Sequence, residues 1–164
     1  MRSLGLDVGD KRTGVAVSDP QGILATPLTV LASEDEDALI NGILKLVEQY
    51  KAERIVVGLP RRLSGELGKQ AGKVTIFTDK LSWQAKESNF NQLDIQLWDE
   101  RLSTKAAERL KTEASGQGSK LRSGSKKRAR NHHFPIKAEV DAIAATFILQ
   151  GFLDSHRLSN SEGP

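Results

Sequence analysis

The chain opens on a strict alternation. Leu4, Leu6 and Val8 are apolar, Gly5, Asp7 and Gly9 are not, and this period of two predicts a β-strand with two unlike faces. Gly9-Asp10-Lys11-Arg12 supplies a turn, and Val15 and Val17 carry a returning strand. The other face of that return is Gly14, Ala16 and Ser18, all small, so a hairpin here leaves Asp7 on a face nearly bare of side chains. A third strand is expected from Ile23 to Leu31, and Pro27 within it points to an edge or a bulge. Ser33-Glu34-Asp35-Glu36 has the form of a capping box, followed at helical spacing by Leu39, Ile40, Ile43, Leu44, Val47 and Tyr50.

Arg54-Ile55-Val56-Val57-Gly58-Leu59-Pro60 is continuously apolar until Gly and Pro end it, which fits a central strand buried on both faces. Leu67, Ala71, Val74, Phe77 and Leu81 predict a second helix, weakened at its start by Gly68 and Gly72. A fifth strand is expected from Asp94 to Trp98, then a helix capped by Ser103 or Thr104 and running to about Ala114. A last helix spans Ala138 to Leu153. The order of elements is that of a mixed α/β sheet.

A chain of 164 residues, 38% hydrophobic and 27% charged, fits one globular domain, expected over residues 1–154, with 155–164 a disordered tail. There is no apolar run long enough to span a membrane and no secretory leader pattern, so the expected location is the cytoplasm. With no cysteine, thiol nucleophiles and zinc–thiolate sites are excluded. The net charge is only +3, but it is unevenly spread. Between Gly116 and Asn131 stand Lys120, Arg122, Lys126, Lys127, Arg128 and Arg130 without a single acid, in a Gly/Ser-rich stretch expected to be a mobile loop. Such a segment suits a polyanion; it lacks aromatics, so it would grip backbone and not read bases.

Three places carry acids that structure alone gives little reason for. Asp7 stands on the bare strand face. Asp99-Glu100 ends the fifth strand, where sheet sites gather. Asp141 lies along the apolar stripe of Ala138, Ala142, Ala145, Ile148, Leu149 and Phe152, and a carboxylate facing a core is costly unless paired or bound to metal. The plainer reading of Asp141 is a surface ion pair with Lys137 on the same helix. Since the stripe points inward, the functional reading is preferred. If the three converge, their hard oxygens suit magnesium or manganese, and two such ions could activate water against a phosphodiester.

The run from Gly5 to Asp19 resembles the opening signature of the YqgF family. So do Val56-Val57-Gly58-Leu59-Pro60, Asp99-Glu100-Arg101-Leu102-Ser103-Thr104, and Val140-Asp141-Ala142-Ile143-Ala144-Ala145 with Ile148-Leu149-Gln150, all in family order. The resemblance implies a ribonuclease H-like fold related to the RuvC resolvases, with a five-stranded mixed sheet, the first three strands antiparallel, flanked by helices. It implies a nuclease whose catalytic, metal-binding acids are Asp7, Glu100 and Asp141. The substrate it implies is the 5′ end of the 16S ribosomal RNA precursor or, as the alternative, a four-way DNA junction. A monomer or a homodimer fits, the latter matching a symmetric junction. Where the family usually continues with Leu-Asn-Met-Asp-Gly, this chain has Arg61-Arg62-Leu63-Ser64-Gly65, two cations that could contact phosphate.

Lys11 and Arg12 on the hairpin tip could also position a phosphate, and Arg101 could grip phosphate or ground Glu100. His132 and His133 read better as polar loop residues than as proton shuttles. Trp83 and Trp98 read as core. Asp7-Val8-Gly9 with Gly14 also fits the phosphate loop of actin-like phosphotransferases, but that class needs a second lobe for which the chain has no room. A non-catalytic RNA-binding module of the same fold is the remaining alternative; retention of all three acids argues against it.

Overall fold

The computed structural model describes residues 1–32, 34–60, 68–99 and 136–161, with side chains in the last segment from Val140 onward. Five strands, β1 (Ser3–Val8), β2 (Arg12–Ser18), β3 (Ala25–Ala32), β4 (Arg54–Leu59) and β5 (Asp94–Asp99), form one sheet in the order β3-β2-β1-β4-β5. The first three pair antiparallel, and β4 joins β1 and β5 in parallel. The expected mixed sheet is therefore present. β3 is the edge that Pro27 called for, and the β2–β3 register shifts between Val15 and Ala16, the latter opposite Pro27.

Two helices, α1 (Glu36–Tyr50) and α2 (Lys69–Glu87), cover one face of the sheet, and α3 (Ile136–Ser161) covers the other. The period-two alternation decides which residue goes where. Leu4, Leu6 and Val15 pack with Ile40, Ile43, Val47, Val74 and Leu81 on one side; Ala16 and Ala25 pack with Ala145, Leu149 and Phe152 on the other. Each fully buried Leu or Ile contributes about 1.5–3 kcal/mol, and a one-residue slip of β1 would move the whole set to the wrong face. β4 supplies both layers, with Ile55 and Val57 in one core and Val56 in the other, as a strand buried on both faces must.

The elements differ from expectation at three points. The N-cap of α1 is Asp35, whose carboxylate accepts from the Asp37 amide at 3.0 Å, two residues later than a cap at Ser33 would stand; Ser33 itself is outside the described residues. α3 does not end at Leu153 but runs on to Ser161, so the expected tail begins as helix. There His156 stacks on Phe152 with ring centroids 4.0 Å apart, and the Ser159 hydroxyl donates to the Ser155 carbonyl. Trp83 is not core: it is 63% exposed, because the buried stripe of α2 runs through Ala71, Val74, Phe77, Thr78, Leu81 and Ala85 and leaves position 83 on the far side. Trp98, in contrast, packs edge-on against Phe152 at 5.6 Å. The helix expected from Ser103 to Ala114, the basic stretch and His132-His133 fall outside the described residues.

Candidate active site

Asp7 sits near the C-terminal end of β1, paired in register with Gly14 of β2, on the face that α3 covers. The small residues of that face have a purpose other than leaving room for a ligand. A Cβ on Gly14 would overlap the backbone carbonyl of Asp141, and a Cβ on Gly5 would lie 2.6 Å from Leu149 Cβ and 2.9 Å from the Ala145 carbonyl. The bare strip is a seat for the backbone of α3. Where the sequence suggested cleared space, the helix fills it and in doing so brings Asp141 to Asp7.

The electrostatics follow from that approach. Asp7 is largely buried, and desolvation, with the nearby Asp141 charge adding to it, pushes its carboxyl up to about 6. Asp141 is met by Arg12, whose Nε lies 3.2 Å from Asp141 Oδ2; the side chain of Lys137, the plainer partner, lies outside the described residues. The contact is an ion pair without hydrogen-bond alignment, since among the described residues Oδ2 is buried and accepts no hydrogen bond. Two carboxylates thus converge, one of them destabilised as an anion and the other holding a buried oxygen with an open lone pair. That donor set fits a hard divalent cation.

The turn that carries Lys11 is closed by the Gly9 amide donating to the Arg12 carbonyl at 2.9 Å, and Lys11 is exposed at its tip. Asp10 leans away toward α2, where its carboxylate lies 3.3 Å from Lys73 Nζ. A cleft of ≈ 350 Å³ opens beside this turn, lined among others by Val8, Asp10, Gln70 and Lys73, and includes neither Asp7 nor Asp141. The acid pair, not the cleft, is where the chemistry concentrates. Asp99 closes β5 opposite Leu59, but Glu100 lies just past the described residues, as do Arg61, Arg62, Arg101, Lys120, Arg122, Lys126, Lys127, Arg128 and Arg130. Among the described residues no three acids or histidines form a metal cluster.

Two motif residues turn out to be structural. Asp19 Oδ1 accepts from the amides of Ile23 at 2.7 Å and Leu24 at 3.0 Å, which holds its carboxyl below the usual range and fixes the β2–β3 connection. Gln150 on α3 accepts from the Ala25 amide and donates to the Ile23 carbonyl, each at 2.9 Å, tying the helix to the start of β3. The sequence carried a signal for neither role beyond the motif itself.

A central acid on the first strand, a second acid delivered by a late helix, and a 3-2-1-4-5 sheet with three antiparallel strands define a ribonuclease H-like nuclease. RuvC of Thermus thermophilus, solved in complex with a Holliday junction substrate, shares the architecture with a TM-score of 0.55, 16% identity and 96% of each chain covered. A model of the RuvX family, described as Holliday junction resolvase, matches residues 1–155. The chain belongs to this family, the one its motifs resemble under the name YqgF. A relative from Clostridium botulinum strain Hall, named "Putative pre-16S rRNA nuclease", is 39% identical over 155 residues, 94% of this chain and 98% of its own length. One of the same name from Desulforamulus reducens is 38% identical with the same coverage. Among the described residues no helix is long and apolar enough to cross a membrane.

Proposed function

We propose that this protein is a divalent-metal-dependent endonuclease of the cytoplasm that trims the 5′ end of the 16S ribosomal RNA precursor. The observation that carries the reading is the half-buried pair of Asp7 and Asp141, two carboxylates held together with their charge only partly offset by Arg12. Asp7 and Asp141 would hold magnesium or manganese, with Glu100 completing the set from the end of β5. Bound there, one or two such ions would supply an activated water and stabilise the leaving oxygen of a phosphodiester. Arg12 and Lys11, at the rim of the pair, would take the phosphate; Arg61, Arg62, Arg101 and the cations from Lys120 to Arg130 would hold the flanking backbone. The name carried by the relatives of 38–39% identity favours ribosomal RNA as substrate.

A second reading, resolution of a four-way DNA junction, is favoured by the family description. One experiment separates the two. Purified protein is offered a precursor fragment and a four-way junction, with and without magnesium or manganese, beside Asp7→Asn. Metal-dependent cleavage of the RNA that the variant lacks supports the first reading, and paired nicks in the junction support the second. Cleavage by Asp7→Asn at the parental rate would sink both.

A further inference from the structure

Arg12 is the first residue of β2, on the same strand face as Gly14 two positions on. Gly14 is the register partner of Asp7, so Arg12 stands diagonally across the strand pair from Asp7 and in contact with Asp141. Its backbone is pinned. The Gly9 amide closes the turn on the Arg12 carbonyl at 2.9 Å, and a Cβ on Gly9 would lie 2.8 Å from that same oxygen. The backbone of Asp141 is pinned as well, wedged over Gly14. What can move between them is the long Arg12 side chain, 40% exposed.

Its hold on Asp141 is a poor one. Arginine and carboxylate meet best as a two-pronged fork with aligned hydrogen bonds. Here the approach is by Nε at 3.2 Å, and Asp141 Oδ2 accepts no hydrogen bond among the described residues. That oxygen is nevertheless buried, while the Asp141 side chain as a whole is 28% exposed. A cation arriving from solvent therefore meets the open part of the carboxylate first. It gains Oδ2 only once the guanidinium has withdrawn.

We propose that Arg12 is a latch between the metal site and the nucleic acid: it pairs with Asp141 until a divalent cation takes the carboxylate, and the guanidinium so released binds the phosphate beside the acid pair. The inference rests on the reading of Asp7 and Asp141 as a metal site. It adds an order, cation first and nucleic acid second, and a coupling between the two. Because its backbone is pinned, Arg12 stays at the rim and exchanges one anion for another within reach. Phosphate suits it, since the fork that Asp141 leaves unengaged matches two phosphate oxygens. An ion pair that merely holds Asp141 in place fits less well, because it leaves a buried acceptor without a hydrogen bond.

Calorimetric titration of the full chain with manganese, without nucleic acid, reads the first half. Arg12→Gln is expected to bind manganese about three- to tenfold more tightly than the parent, because the competing cation is gone. A pair that only positions Asp141 predicts the opposite sign, and weaker manganese binding by Arg12→Gln overturns the latch. The second half is read by retention of a short single-stranded RNA on a filter, scored as intact strand. Manganese is expected to tighten RNA binding by the parent about fivefold or more beyond its effect on Arg12→Gln, which has no guanidinium to release. An equal gain in the two proteins makes Arg12 a repelling charge and also overturns the latch. Asp7→Asn separates this inference from the one beneath it. Manganese binding that Asp7→Asn abolishes, with Arg12→Gln no tighter than the parent, overturns the latch and leaves the metal site standing. If neither parent nor Arg12→Gln binds manganese in a way that needs Asp7, both readings fall.

Discussion

At Asp7, burial and charge work against the anion that the proposed metal site would use. Its carboxyl is raised from 3.8 to about 6, so between those values the folded protein binds more protons than the unfolded chain. Stability from this group is therefore lost as pH rises through that window and is level above it. Asp7→Asn, which cannot ionise, is expected to be more stable than the parent at pH 7 by about 2–3 kcal/mol. The difference should vanish near pH 4. Urea unfolding of both proteins across the range reads it directly, and the same variant should bind nucleic acid yet fail to cleave. A divalent cation on the pair would remove the penalty, so magnesium should raise the melting temperature more at pH 7.5 than at pH 5, and not at all in Asp7→Asn. Arg12 behaves differently, because its side chain is 40% exposed. Solvent screens its pair with Asp141, so Arg12→Gln should shift stability by no more than about 1 kcal/mol while weakening nucleic-acid binding in a filter assay.

Among the elements, α3 and the hairpin depend on each other through contacts that have no side chain on one side. Gly14→Ala would push the Asp141 backbone off β2. The expected cost is about 1–3 kcal/mol in unfolding free energy, together with a loss of cleavage of about tenfold or more, because a small displacement of one carboxylate is enough to spoil the pair. Gly5→Ala meets α3 at Ala145 and Leu149, farther along the helix. It should cost similar stability but less activity, and comparing the two variants by unfolding and by cleavage separates seating the helix from placing the acid. Most of the elements were legible in the sequence, because period-two and helical spacing respond to which face is buried. The seat for α3 was not: a run of Gly, Ala and Ser on one strand face has the same appearance whether a ligand or a helix backbone lies over it. Trp83 was misjudged for a related reason, since an aromatic at helical spacing fits either side of a helix whose apolar stripe is broad.

For the whole molecule, the net charge of +3 conceals an uneven distribution, with six cations and no acid from Lys120 to Arg130. Replacing Lys126, Lys127 and Arg128 together by glutamine should leave stability and the metal response intact. Nucleic-acid binding should weaken, and its slope against the logarithm of salt concentration should fall by about 2, as expected when three cations leave a single strand. Titrations at several salt concentrations measure this. By itself the sequence determined the strands and helices, the sheet class, and Asp7 and Asp141 as acids out of place, because burial patterns and the cost of a desolvated charge are written residue by residue. Tertiary structure decided which acid meets which, that Arg12 answers Asp141, and that glycines hold the helix against the strand. Those are contacts between elements distant along the chain, and no local spacing encodes how closely two backbones can approach.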